Sequence, residues 1–144
     1  MKLFGHPVHL MLIHFPAALF PMELILYFAY FQSGNTSFAT ASFYSMWGGV
    51  AFGWLAVLTG FIDLIKIKDN QAAAKVKALV HGTINATVLT VYSVFAYMLY
   101  KDYPALPAAT LTALIIKAVL NVGMIAGNYL GGALILKHKI AVEN

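Results

Sequence analysis

Residues 38–65 read FATASFYSMWGGVAFGWLAVLTGFIDLI, a run with a single charged side chain, Asp63, near its end. A helix needs about 20 mostly apolar residues to cross a bilayer, and this run exceeds that. Three further apolar runs flank it. Working outward, the sequence predicts spans at 7–31, 38–65, 72–100 and 106–136 within a single transmembrane domain, an all-α four-helix bundle. Gln32-Ser33-Gly34-Asn35-Thr36 has turn composition, 66–71 is polar, and Lys101-Asp102-Tyr103-Pro104 closes the third span. Pro7 suits a first helical turn, where its missing N–H costs nothing.

Composition agrees. Of 144 residues, 61% are hydrophobic and 10% charged, against roughly 45–50% and about 25% in soluble domains. One water-surrounded core of this size could not hide so much apolar surface. There is no cysteine, which excludes disulfides and thiolate metal sites. All nine basic residues are Lys, and they flank apolar runs without forming an aromatic-interleaved patch, so nucleic acid is not an expected partner. The first apolar run, carrying Pro16, Pro21 and Glu23 without a small-residue cleavage site, reads as a retained helix and not a signal peptide.

Four spans put both termini on one side. That side carries Lys2, Lys66, Lys68, Lys75, Lys77, Lys137 and Lys139, while the opposite loops carry only Lys101. The positive-inside rule makes the lysine-rich side cytoplasmic. Tyr27, Tyr30, Tyr97, Tyr100 and Tyr103 are expected in an aromatic belt at the far interface.

Gly49 and Gly53 on the second span, and Gly123, Gly127 and Gly131 on the fourth, repeat at intervals of four. That spacing lets backbones approach closely in lipid; the alternative is room for a flat cofactor. Pro16 and Pro21 each remove a hydrogen bond and should bend the first span, Pro16 freeing the Leu12 carbonyl.

All five histidines fall toward the lysine-rich side: His6, His9 and His14 on the first span, His81 on the third, His138 ending the fourth. Asp63 joins them from the second, and Asn85 lies four residues after His81, on the same helical face. Ionisable groups in a membrane segment cost several kcal/mol unless they face the interior and find partners. Neutral imidazole is the commonest side-chain metal ligand. His81 with His9 or His14 meets the depth condition for bis-imidazole ligation of haem iron. A smaller transition-metal ion would instead draw on His6, His9, His14, Asp63, His81 and His138. Plainer readings stand beside these. His6 also suits a helix cap, His138 a solvated end, and Asp63 an interfacial partner for lysine. Deeper in the membrane, Glu23 and Lys117 are expensive alone and are expected to form an ion pair between the first and fourth spans. The halves show no inverted repeat of the kind transporters use.

The motifs Gly5-His6-Pro7-Val8-His9 with His14-Phe15-Pro16, Thr59-Gly60-Phe61-Ile62-Asp63-Leu64, His81 with Asn85, and Leu130-Gly131-Gly132-Ala133-Leu134 leading to His138 span nearly the whole chain. Together they resemble the bacterial membrane family of domain of unknown function 2231. The resemblance implies a four-helix inner-membrane protein, with His6 and His9, Asp63 and His81 on the family's motif positions. Relatives fused to Rieske or c-type cytochrome domains imply electron transfer, with redox partners as separate proteins here.

The expectation is therefore a haem-b-type or metal-binding membrane electron carrier. The alternative is a non-catalytic accessory subunit of a respiratory or photosynthetic complex, and a third reading is a metal or proton transporter using Glu23, Lys117 and the histidines.

Overall fold

A computed structural model describes the backbone at residues 2–3 and 6–138 and the side chains at 8–68 and 70–136. Two short strands, β1 (Lys2–Leu3) and β2 (His6–Pro7), pair antiparallel ahead of the helices. Helices α1 (Val8–Leu12) and α2 (His14–Ser33) make the first span, followed by α3 (Thr36–Leu64), a 3-10 turn (Asp69–Gln71), α4 (Ala72–Asp102) and α5 (Leu111–His138). All four long segments are long and apolar enough to cross a membrane.

Local chemistry sets the boundaries. Pro16 has no N–H to close on Leu12, and the first span breaks at Ile13 into α1 and α2. The α2–α3 turn is short because Gly34 takes a left-handed φ of 67° and returns its N–H to Tyr30 O at 2.8 Å. Asn35 then caps α3, its Oδ1 accepting from Ser37 N at 2.9 Å. The last helix starts at Leu111, later than the expected 106. Pro107 opposes a helix across this stretch, and Thr110 supplies the cap, its Oγ1 accepting from Ala113 N at 3.2 Å.

Helix α2 packs on α3, α3 on α4, α4 on α5 and α5 back on α2, closing a ring; α1 packs on α3. The central core holds Phe20, Met46, Val50, Val88, Leu89, Tyr92, Ala96 and Met124. A smaller cluster of Ile67, Ala74 and Leu134 closes the lysine-rich end. Large apolar side chains such as Leu58, Phe61, Val94, Met98, Val119, Val122 and Ile125 stay exposed on the outside. In water so large an apolar surface would be untenable; in a bilayer it is the lipid contact.

The aromatic belt needs one correction. Tyr97, Tyr100 and Tyr103 are exposed, but Tyr27 and Tyr30 are buried. They turn inward because the loop before α5 offers partners: Tyr27 Oη accepts from Thr110 N at 2.9 Å, and Tyr30 donates to Pro107 O at 3.3 Å.

Candidate functional site

A cavity of about 490 Å³ opens among the helices toward the lysine-rich end. Its walls are mostly apolar, from residues such as Ile13, Phe20, Leu64 and Met124, and its polar groups are few: His9, Asp63, His81, Asn85 and Asn128 with Thr83. A largely apolar pocket of about 300–1,000 Å³ with a few convergent polar groups is what cofactor and small-molecule sites look like.

His9 enters from α1. Its Nδ1 lies 2.8 Å from the carbonyl oxygen of Ala56 on α3. A carbonyl only accepts, so Nδ1 carries a proton, and in the neutral ring Nε2 is then the nitrogen with the lone pair. The ring lies flat against Gly60, where a Cβ would stand 2.8 Å from His9 Cε1.

His81 enters from α4 in the same manner. Its Nδ1 lies 2.7 Å from Gly127 O on α5, which fixes the same tautomer. A Cβ at Gly131 would stand 2.7 Å from His81 Cε1. Asn85 donates from Nδ2 to His81 O at 3.1 Å and packs where a Cβ at Gly127 would fall 2.6 Å from that nitrogen. Nδ2 is also 3.1 Å from His81 Nδ1. With Nδ1 donating to Gly127 O, both nitrogens are donors, so this approach is a packing contact and not a hydrogen bond, and Asn85 is held by its bond to His81 O.

The two imidazoles are neighbours in an edge-on arrangement, with ring centres 6.4 Å apart and planes at 83°. Among the described residues, none donates a hydrogen bond to either Nε2. Side chains from neighbouring helices pack directly on the glycines at these positions. Gly60, Gly127 and Gly131 seat His9, Asn85 and His81, just as Gly49 and Gly53 seat Phe20 and Leu89.

The other candidate residues lie elsewhere. His14 is exposed on the outer surface and does not line the cavity, so the expected pairing of His81 with His14 is not made. Five residues separate it from His9, about 140° of helical rotation, so a helix that turns one inward turns the other out. Asp63 lines the cavity wall. The side chains of His6 and His138 lie outside the described residues. Among the described residues, which exclude the side chains of His6 and His138, no three His, Asp or Glu side chains stand together as a group that could hold a metal ion.

A second polar cluster lies deeper. The Lys117 ammonium bonds Glu23 Oε1, and the two side chains are 1% and 0% exposed. Ser42 donates to the same oxygen at 2.9 Å. Lys117 Nζ also sits 3.6 Å from the centre of the Tyr27 ring, a favourable cation–π contact. Asn121 Nδ2 donates to Tyr92 Oη at 2.8 Å and to Lys117 O at 2.9 Å. Sequence reasoning anticipated the ion pair but not Ser42, Tyr92 or Asn121. Asn121 carried a signal, sitting four residues after Lys117 on one helical face. Ser42 and Tyr92 carried none, because only the bundle brings them there.

The sequence matches the family described as a predicted membrane protein, DUF2231, over residues 5–144. The chain belongs to this family. No curated protein and no solved structure matches it. Within this DUF2231 chain both deep histidines of the cavity, His9 and His81, and the acidic Asp63 lie inside the matched region.

Proposed function

We propose that the His9–His81 pair holds a haem-b-type group and that the protein is a membrane electron carrier. The observation that carries this reading is the pair itself: two imidazoles from different helices, each held by a backbone carbonyl through Nδ1, with ring centres 6.4 Å apart. Imidazole nitrogen binds a first-row metal at about 2.0–2.1 Å, so rings on opposite sides of one ion have centres about 6 Å apart.

The donor set favours haem over a bare transition-metal ion. A bare ion needs three or four protein ligands, whereas a macrocycle brings four nitrogens and asks the protein for two axial ones. Bound there, such a group supplies one-electron transfer, its potential tuned by axial ligands and burial. The chain's own contribution is to orient both rings, to keep water away with the apolar wall, and to hold each proton on Nδ1. Redox partners would be separate proteins. The lysine-rich end would face the cytoplasm of a bacterial inner membrane, by the positive-inside rule.

The test is the absorption spectrum and metal content of the purified full chain. A Soret band that sharpens and shifts on reduction, at one haem per chain, is expected. A sample with neither that band nor stoichiometric metal would overturn the proposal.

A further inference from the structure

Resting on the proposed function, we infer that the bundle is two copies of one helical hairpin, and that the bound group takes one equivalent imidazole from each copy, leaving its metal with no open position. His81 follows His9 by 72 positions, and Tyr92 follows Phe20 by 72; Gly127 follows Ala56 by 71, and Gly131 follows Gly60 by 71. Lys66-Ile67-Lys68 matches Lys137-His138-Lys139 at the same 71. One hairpin is the first and second spans, the other the third and fourth.

Each copy repeats the same construction. A histidine on the first helix gives Nδ1–H to a carbonyl on the second, and its ring lies on the glycine four residues further along. His9, Ala56 and Gly60 make one set; His81, Gly127 and Gly131 make the other. The Nδ1 distances are 2.8 and 2.7 Å, and a Cβ on the glycine would meet Cε1 at 2.8 and 2.7 Å. Two unrelated packing accidents would not agree at every one of these points.

A two-fold axis along the bundle explains which residues touch. It carries α2 onto α4 and α3 onto α5, so the α3–α4 and α2–α5 contacts are images of each other. Residues near the axis must meet their own counterparts. Phe20 and Tyr92 do, stacked with centres 4.0 Å apart and planes at 4°; His9 and His81 do, at 6.4 Å. This is a parallel repeat about the membrane normal, distinct from the inverted repeats of transporters. The deep ion pair marks where the copies diverged. Glu23 corresponds to Phe95 and Lys117 to Met46 at the same offsets, and Phe95 and Met46 pack in the apolar core.

A group on that axis meets both imidazoles alike. Two equivalent axial nitrogens complete the coordination of a haem iron, which suits electron transfer and excludes small ligands. The test uses the purified full chain, reduced and exposed to carbon monoxide, beside His9→Gly and His81→Gly. The expected result is an unchanged wild-type spectrum, a carbon monoxide shift in both variants, and loss of that shift in both when imidazole is added. Carbon monoxide binding to wild type, or a response in only one variant, would overturn the equivalence while leaving a haem protein. Absence of any haem spectrum would instead remove the proposed function and this inference with it.

Discussion

The Lys117 ammonium is held between the Glu23 carboxylate and the face of the Tyr27 ring, joining α5 to α2 inside the bundle. With both side chains at or below 1% exposure, the pair is a commitment the bundle cannot relax by solvation. Removing one partner strands the other charge, which costs about 3–5 kcal/mol for buried pairs.

Glu23→Gln and Lys117→Met should therefore each destabilise the protein by roughly 3–5 kcal/mol. The double variant Glu23→Phe/Lys117→Met copies the apolar pairing of Phe95 with Met46 and should recover most of that loss, since replacing a whole buried pair is often neutral. Reversible unfolding in mixed micelles, read by circular dichroism, checks both; a double variant worse than the sum of the singles would contradict the account.

Gly60→Ala and Gly131→Ala place a methyl group within 3 Å of His9 and His81. Overpacking costs about 1–3 kcal/mol, and each imidazole must shift. Haem affinity should fall at least tenfold in both, about 1.4 kcal/mol. Gly82→Ala, where a Cβ meets nothing within 4 Å, should leave binding unchanged. Titration of the cofactor-free chain with haem measures all three.

Both cavity histidines should be Nδ1–H tautomers before any ligand binds, because both Nδ1 atoms face carbonyl oxygens. Nitrogen NMR of histidine-labelled protein in bilayers reads the tautomer directly. Two Nε2–H signals from these rings would contradict the hydrogen-bond assignment.

Much of this fold is visible in the sequence, because hydropathy over some 20 residues is a property of the chain alone. Turn chemistry shows too: Gly34 and Asn35 end one helix and cap the next as their residue types suggest. The start of α5 was less legible, since the cap at Thr110 competes with an apolar stretch from Leu106 that looks helical by hydropathy. At the site, the depth of His9 and His81 can be counted from the sequence, but the choice of His9 over His14 is rotational and follows from which helix face α3 covers. Tyr27 and Tyr30 read as interfacial because their inward partners, Thr110 N and Pro107 O, come from a loop some eighty residues away. The parallel repeat leaves a trace in the sequence at a few scattered positions, His9 and His81, Gly60 and Gly131, and the Lys66 and Lys137 pairs, but their neighbours differ, and the contacts are what tie these positions into one repeated unit.

The central claim is that His9 and His81 share one bound group, and haem titration of the cofactor-free full chain tests it most directly. The account predicts saturation at one haem per chain, with binding lost in His9→Ala/His81→Ala and retained in His14→Ala. Stoichiometric binding that survives the double substitution would contradict it.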